Sequence, residues 1–465
     1  MLRPGSGGCG AGARRLVLAG ISEGGSDMIL PTSLRGLRKL PRPIVVTLAL
    51  TALAACASTP PPPPPPPPPP VVTEPEVTEP EVIEPEIIRE GGLIPHHLEG
   101  REVTRAALLL PFSHPNAAAR NEAANLLQAA ELALFEHGPE TLVLMPKDTG
   151  GTNEGARQAA QAAIDDGADI ILGPLFGAAA TAAGDVARRY DVPVLAFSTD
   201  TSIAGNGVYL LSLPPEQEVA RITAYVARLG VERFAFIGPG GAYGSAVRDA
   251  LAETAELNGG YLAAEETYVG GVEAMTSAAR RLSQLGFTSL EAEDAMMFNS
   301  SEWVPSADAP FQAVMLPEGG TRLRTLGPLL PYHEIDPLIV RFLGTGLWND
   351  EETRREPVLH GGWFAGPDAE AHSAFSAQYQ SAFGDEPSRI ASHAYDAVLL
   401  AVFFANEGEV SREALEDPEG FYGADGLFRF RADGRIERGL AVYEVRHDGF
   451  RVIDPAPRSF DPAVF

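Results

Sequence analysis

Short apolar runs alternate with Ala-rich helical stretches through much of this chain of 465 residues. Between Gly167 and Asp200, the runs Asp169–Leu172 and Val192–Phe197 have the length and composition of buried strands. Ala178–Tyr190, which lies between them, contains no proline and is long enough for a helix. This strand–helix–strand order predicts two parallel strands joined by a right-handed crossover.

The loops after these two strands are candidates for a ligand site. Residues 173–177 follow the first strand and residues 198–200 follow the second, and both loops are rich in small or polar residues. In open α/β sheets, ligands bind beyond the carboxyl ends of the strands, so both loops should face one crevice. Either loop by itself is better explained as a tight turn, but two of them at adjacent strands favour a cleft.

The same alternation begins at Val103 and resumes after the pair Pro214-Pro215. The first series predicts strands at Val103–Phe112, Thr141–Met145 and Val208–Leu213. It predicts helices at Asn116–Glu136 and Gly155–Asp166. The second series predicts strands at Arg233–Ile237, Gly260–Tyr268, Phe311–Leu316 and Pro337–Phe342. It predicts helices at Tyr243–Leu257 and Met275–Leu285. Residues 287–310 are acidic with weaker periodicity, which indicates an insertion. In the remaining sequence, Gly361–Phe364 leads into two predicted helices, Ala369–Phe383 and Arg389–Ala405. The last part, Gly426–Ile453, is β-rich and has predicted hairpin turns at Asp433-Gly434 and Asp448-Gly449.

The residues before Val103 predict a secretory signal and an anchor. Four basic residues precede the apolar run Ile44–Ala55, which is typical of a signal peptide and too short to span a membrane. The run ends in Leu53-Ala54-Ala55-Cys56, which resembles the bacterial lipobox. That resemblance implies that Cys56 is lipidated and becomes the first mature residue, and the lack of Asp after it implies the outer membrane. A plain signal peptide with an incidental cysteine is the alternative, and translation from either Met1 or Met28 is compatible with the pattern.

A stiff linker follows the lipobox. Pro60–Pro70 is an unbroken proline run, and three Glu-Pro-Glu repeats follow it within residues 72–86. Proline at this density forbids a regular helix and favours an extended, disordered tether, about 130 Å long if residues 57–100 are fully polyproline II. A ligand for an SH3-type domain is the alternative interpretation. The predicted domains are therefore 1–55 (extension and signal), 56–100 (lipidated cysteine and linker) and 101–465 (folded part).

Charge and composition exclude several classes of function. The formal net charge of −27 argues against a nucleic-acid binder and against an extended contact with anionic lipid. Both cysteines, Cys9 and Cys56, precede the folded part, which leaves it no disulfide, thiolate metal site or thiol nucleophile. The predicted folded part, residues 101–465, contains neither a Gly-x-Ser-x-Gly elbow nor a His-Glu-x-x-His motif. We therefore expect no enzyme, cofactor or metal, and we expect His393 to be a packed core histidine and Tyr395-Asp396 a helix-packing pair.

The order of the motifs resembles type I periplasmic binding proteins of the leucine-binding kind. The matching motifs are Pro111-Phe112-Ser113, Gly173-Pro174-Leu175-Phe176, Phe197-Ser198-Thr199-Asp200, Tyr243-Gly244, Ser392-His393-Ala394-Tyr395-Asp396 and the β-rich end. The resemblance runs from about Val103 to Ile453 and implies an α/β fold of two Rossmann-like lobes with three crossovers. Lobe 1 would comprise residues 101–213 and 358–425, and lobe 2 residues 214–357 and 426–465.

Within that superfamily, the chain resembles the penicillin-binding protein activators of alphaproteobacteria. The motifs are residues 109–113, 147–151, 173–176 and 197–200. The resemblance implies a non-enzymatic outer-membrane lipoprotein, in the periplasm, that binds a penicillin-binding protein and regulates peptidoglycan synthesis. One alternative is the receptor of an ABC importer for amino acids or small peptides. Another is a sensor of a cell-wall fragment.

The resemblance also assigns candidate cleft residues: Ser113, Leu175, Phe176, Gly177, Ser198, Thr199, Tyr243 and Glu318. In amino-acid-binding relatives, backbone N–H groups and hydroxyls of the loops after the third and fourth strands hold the ligand carboxylate. Ser198 and Thr199 fit that role, whereas the apolar Leu175 and Phe176 imply a different ligand, an empty cleft or a partner surface. Tyr243 would close over the ligand or cap its helix, and Glu318 would meet an ammonium or be a solvated turn residue.

Overall fold

The computed structural model describes residues 14–15, 95–285, 303–408 and 410–460. The predicted signal, Cys56 and nearly all of the tether lie outside these residues, as do residues 287–302 of the acidic segment. All of the described residues belong to one compact unit. In it, a two-residue strand β1 (Arg14–Arg15) pairs in parallel with Phe421–Gly423.

The first sheet has five parallel strands, in the order β3-β2-β4-β5-β6. They are β2 (Thr104–Leu110), β3 (Leu142–Asp148), β4 (Ile170–Leu172), β5 (Val194–Ala196) and β6 (Val208–Leu210). The helices of this lobe are α1 (Ala117–His137), α2 (Asn153–Asp165), α3 (Gly177–Ala187), α9 (Ala369–Phe383), α10 (Ala391–Glu407) and the short α11 (Arg412–Leu415). Leu108 packs with α1 and α10, whereas the next residue, Leu109, packs with α2 and α3. Because helices cover both faces, β4, β5 and β6 are buried along their whole length and carry no charged residue.

The second sheet has seven strands, in the order β16-β15-β11-β10-β9-β7-β8. They are β7 (Arg233–Pro239), β8 (Tyr261–Tyr268), β9 (Ala313–Met315), β10 (Arg341–Gly344), β11 (Trp363–Gly366), β15 (Ala441–Arg446) and β16 (Gly449–Asp454). The first five are parallel, and β15 and β16 extend the sheet antiparallel. Its helices are α4 (Pro215–Arg228), α5 (Ala242–Leu257), α6 (Val272–Ser283), α7 (Gly320–Tyr332) and the short α8 (Glu351–Arg354). Phe236 and Ile237 point into the two different cores on either side.

A small antiparallel sheet completes lobe 1. Its antiparallel strands are β12 (Phe421–Gly423), β13 (Gly426–Phe430) and β14 (Ile436–Arg438), and β1 is added in parallel to β12. The predicted Asp433-Gly434 turn connects β13 and β14. Phe421, Phe428 and Phe430 are buried in the same core as α9 and α10. Single-turn 3₁₀ helices occur at His96–Leu98, Arg188–Tyr190, Thr201–Ile203, Gly346–Trp348 and Pro357–Leu359. No helix among the described residues is long and apolar enough to cross a membrane.

Two lobe boundaries differ from the sequence-based expectation. We expected lobe 1 to resume at residue 358, but β11 pairs with β10 and β15 and so belongs to lobe 2. We expected lobe 2 to resume at residue 426, but β13 and β14 place Phe428, Phe430 and Ile436 in the core of lobe 1. The three crossovers therefore lie between β6 and α4, between β11 and α9, and between β14 and β15.

Hydrogen bonds tie the crossovers to one another. The Arg438 Nε donates to the carbonyl of Ser212 at 2.7 Å, and the Arg438 backbone N–H donates to the Gln217 side chain at 2.8 Å. Arg221 of α4 donates to the carbonyl of Leu440 at 2.8 Å. The first and third crossovers are thus held together by side chains of α4 and β14. The connections between the two lobes are therefore hydrogen-bonded to one another and do not act as a single flexible linker.

Candidate ligand-binding cleft

Ser113 follows β2 at the edge of lobe 1 and is exposed. Its backbone N–H donates to Asp148 Oδ1 at 3.2 Å, and the N–H of Gly150 donates to the same oxygen at 2.9 Å. Burial acts to raise the pKa of Asp148, but these bonds and one from the Ser113 side chain outweigh it and lower the pKa. The loop after β2 therefore carries a firmly ionised carboxylate beside Ser113.

The apolar loop after β4 is partly packed into lobe 1. Leu175 is half-buried against the main core, and the Phe176 ring lies 5.6 Å from the His114 ring and against Ala179 at the start of α3. A Cβ at Gly177 would lie 3.2 Å from both Ser198 Oγ and Asp200 Oδ2. The structure thus brings the two loops of the opening prediction into contact.

The loop after β5 holds its own polar groups. Ser198 is buried, and its Oγ accepts a hydrogen bond from the Asp200 backbone N–H at 3.1 Å, whereas Thr199 is exposed. Asp200 Oδ1 accepts from the Ser202 N–H at 3.0 Å. No side chain among the described residues caps α3, and the Asp200 carboxylate lies next to its first residue, Gly177. This carboxylate occupies the region in which a helix N-terminus would otherwise attract an anion.

Tyr243 lies in the first turn of α5, in lobe 2. Its hydroxyl is 2.9 Å from Oγ1 of Thr345, a buried residue that follows β10. Burial, together with the nearby charges of Glu218 and Glu318, raises the pKa of Tyr243 above its usual value. Tyr243 does not cap its helix, since the N-cap position is Gly241. The tyrosine is a neutral hydroxyl that joins the loops after β7 and β10.

Glu318 follows β9 and is buried rather than solvated. Its carboxylate accepts hydrogen bonds from the Tyr268 hydroxyl at 2.7 Å and from Arg322 Nε at 3.0 Å to each oxygen. Arg322 Nη2 adds a further bond at 2.9 Å. An ammonium would have to displace Arg322 to reach this acid, so Glu318 is already neutralised within lobe 2.

Glu218 is a second buried acid of lobe 2, and the sequence analysis missed it. Its side chain is 3% exposed, and Oε2 accepts from the Gly346 N–H at 2.9 Å. Oε1 has no hydrogen-bond partner among the described residues. Nη2 of Arg389, which belongs to lobe 1, lies 3.8 Å from Oε1. Burial raises the pKa of Glu218 to about 7 despite this guanidinium.

Gly346 sets the approach of these two charges. A Cβ at this position would lie 2.2 Å from Glu218 Oε1 and 2.9 Å from Arg389 Nη2. Any other residue here would therefore push the acid and the arginine apart. The neighbouring Ser388 hydroxyl donates to Glu122 of α1, which fixes the segment that carries Arg389 to lobe 1. Glu218 and Arg389 thus meet across the junction of the lobes.

Residues 104–290 match the family model for a periplasmic binding protein. The structure is similar to that of a provisionally assigned branched-chain amino acid ABC transporter from Rhodospirillum rubrum, with a TM-score of 0.61 at 20% identity over 76% of this chain and 100% of that one. The fold is that of a type I periplasmic binding protein. An ABC transporter substrate-binding protein from Sphaerobacter thermophilus gives 0.58 at 19% identity, covering 77% and 98%, and a leucine binding protein from Thermotoga maritima gives 0.51 at 17%, covering 78% and 100%. No curated protein sequence matches this chain.

The helix that carries Glu218 had clear signals in the sequence. Pro215 stands at its first position and two glutamates follow in the first turn. Val219, Ile222 and Val226 then recur at helical spacing and pack into the core of lobe 2. We had interpreted Pro214-Pro215 only as a boundary, and so overlooked an acid that the binding-protein fold places at the lobe junction.

A cavity of about 500 Å³ lies elsewhere, between α2 and the end of α3. Its lining residues are Arg157, Asp185, Arg188 and Arg189. Arg157 and Arg188 each have a carboxylate partner three residues away, which accounts for their charge. The described residues contain no group of His, Cys, Asp or Glu that could hold a metal ion. The lobe junction is therefore the better candidate for a functional site.

Proposed function

We propose that this protein is a non-enzymatic binding protein of the periplasm that holds a small organic ligand between its lobes, as the receptor of an ABC importer does. The observation that carries the proposal is the meeting of Glu218 from lobe 2 with Arg389 from lobe 1. Two charged groups and the hydroxyls of Tyr243 and Thr345 converge there. A few placed polar groups on mostly apolar walls are the usual composition of a ligand site.

The comparisons support this reading in general terms. The solved structures with similar folds include an ABC transporter substrate-binding protein and a leucine binding protein. In such a fold, a ligand that contacts both lobes favours the conformation in which they are close. Interactions that span the lobes, such as the Glu218–Arg389 pair, are where binding and closure are coupled.

Regulation of peptidoglycan synthesis is the second candidate. It is favoured by the lipobox that ends at Cys56 and by the proline-rich tether, Pro60–Pro70. An anchor in the outer membrane would hold an importer receptor away from a permease in the inner membrane. The same anchor with a long tether suits a domain that reaches a penicillin-binding protein across the periplasm. A cell-wall fragment in the cleft would combine the two activities.

A thermal-shift experiment on the detergent-solubilised full-length protein separates the two candidates. The panel contains amino acids, their amine counterparts, short peptides and muropeptides. A ligand present at 100 times its Kd should stabilise the folded protein by about 2.7 kcal/mol. A response to an amino acid, an amine or a short peptide supports the receptor, and a response to muropeptides alone supports the second candidate. No response to the whole panel, with co-purification of a penicillin-binding protein, would replace the first candidate by the second.

A further inference from the structure

We infer that the ligand is an organic amine that lacks a carboxylate, and that Glu218 is the residue that binds its ammonium group. The inference rests on the proposed function and names the class of ligand. It departs from the sequence-based expectation in two respects. The acid is Glu218 rather than Glu318, and the ligand is not an amino acid.

Glu218 has an unused hydrogen-bond acceptor at the lobe junction. Its side chain is 97% buried, because only 3% of its surface is exposed. Oε2 is bonded to the Gly346 N–H, but Oε1 accepts no hydrogen bond from any described residue. Buried carboxylate oxygens are almost always hydrogen-bonded, so an orphaned one indicates a missing partner. The 3.8 Å to Arg389 Nη2 is an ion pair too long for a hydrogen bond.

Arg389 behaves as an internal substitute for the missing cation. Its side chain is 48% exposed and comes from the opposite lobe, so it can turn toward solvent without disturbing a core. Gly346 permits the close approach of the acid and the guanidinium, because a Cβ there would collide with both. A ligand ammonium that takes the place of the guanidinium would give Oε1 the hydrogen bond that Arg389 does not.

Two further acceptors lie beside Glu218. The Tyr243 hydroxyl and Thr345 Oγ1 share one hydrogen bond, and Thr345 is the residue before Gly346. The N–H of Gly346 donates to Glu218 Oε2, so the backbone places Thr345 and its partner Tyr243 beside the acid. An ammonium group has three N–H donors and no acceptor. One carboxylate oxygen and two hydroxyl oxygens are therefore a suitable set of partners.

The groups across the cleft disfavour a ligand carboxylate. In lobe 1, Asp200 lies beside the first residue of α3, and the pKa of Asp148 is lowered by its bonds to the Ser113 loop. In lobe 2, Arg322 is fully engaged by Glu318. A carboxylate placed against these two loops would meet like charges, which selects against it there. An amine without that group avoids the repulsion.

The test compares amines with the amino acids from which they differ only by the carboxylate. Full-length protein in detergent is titrated calorimetrically with putrescine and ornithine, cadaverine and lysine, and 3-methylbutylamine and leucine. At least one amine should bind at least about tenfold more tightly than its amino acid. Tighter binding of the amino acid in every pair, or binding of carboxylates alone, would overturn the inference while leaving the proposed receptor in place. Silence across all compounds would also overturn the inference, and the wider panel with peptides and muropeptides would then decide the proposed function.

Two variants with opposite expected effects check the residue assignment. Glu218→Gln should weaken binding of the responding amine by at least about tenfold, because the amide lacks the charge that the ammonium requires. Arg389→Met should strengthen it several-fold, because the internal competitor is removed. Glu256→Gln, on the exposed end of α5, is the matched control and should change nothing. Unchanged binding in Glu218→Gln, or weaker binding in Arg389→Met, contradicts the assignment even if one variant is less stable.

Discussion

The loop after β9 and the first turn of α4 each bury a glutamate in lobe 2, and the two acids are in opposite states. Glu318 has Tyr268 and Arg322 around both of its oxygens. Glu218 has one backbone N–H and a guanidinium that stops short of hydrogen-bond distance. The difference teaches that burial alone does not mark a binding group. Glu318 is paired entirely within its own lobe, whereas Glu218 also faces a cation of the other lobe, and we infer that Glu218 is the acid available to a ligand.

Removal of Arg322 should have the largest effect, because Glu318 would lose its countercharge. Arg322→Met leaves a buried carboxylate with one hydroxyl partner, and we expect a loss of about 3–5 kcal/mol in the free energy of unfolding. Urea unfolding at pH 7 measures it. Arg324→Met on the same helix is the control, because Arg324 pairs with the more exposed Glu352. Its loss should stay below about 1 kcal/mol, and equal losses would remove the distinction.

Glu218→Gln should have the next largest effect on the free energy of unfolding, and this effect should depend on pH. Since the folded-state pKa of Glu218 is raised to about 7 from its usual 4.5, the folded protein binds this proton more tightly than the unfolded chain does. Stability from this group is complete below pH 4.5 and is lost as the pH rises to 7. Because Gln does not ionise, the variant lacks that loss. Relative to the natural protein, its free energy of unfolding should rise by on the order of 2–3 kcal/mol between pH 5 and pH 8. Unfolding free energies at pH 5 and pH 8 measure the change, and an equal difference at both would contradict it.

Ser198→Ala extends the comparison to lobe 1 and should have the smallest effect. The buried hydroxyl accepts a bond from the Asp200 N–H, so its loss should cost about 1 kcal/mol of unfolding free energy. Thr199→Val is the neighbouring control, and it should stay within about 0.5 kcal/mol because Thr199 is exposed. Both free energies come from urea unfolding. A larger loss of unfolding free energy for Thr199→Val than for Ser198→Ala would mean that Thr199, and not Ser198, stabilises the loop.

Much of the fold could be predicted because its signals are local. The periodicity of Val103–Phe112 and of Ala369–Phe383 placed β2 and α9 within a few residues of their ends. His393 is buried, as expected, and burial with the nearby Arg438 charge lowers its pKa to about 3. The Asp396 carboxylate accepts the Ala424 N–H at 2.6 Å, in keeping with a packing role.

The candidate site was harder to predict because its partners are distant in the chain. Glu318 looked like a turn residue, since Tyr268 lies 50 positions earlier and the sequence does not say that the two meet. Glu218 and Gly346 are 128 positions apart. The lobe boundary near residue 426 was wrong for a similar reason. An alternating strand such as β13 fits either lobe until the aromatic cluster around Phe428 is known.

The interrupted path of the chain through lobe 1 also dictates an order of events during biosynthesis. The five strands of the first sheet are complete at Leu210, but α10, which supplies Val398 and Phe404 to the core on one face of it, begins only at Ala391. A chain made from its amino end therefore has only α1 to cover that apolar face while the first passage through lobe 2 is synthesised. Such exposure invites aggregation, and lobe 1 reaches its native packing only near the end of synthesis.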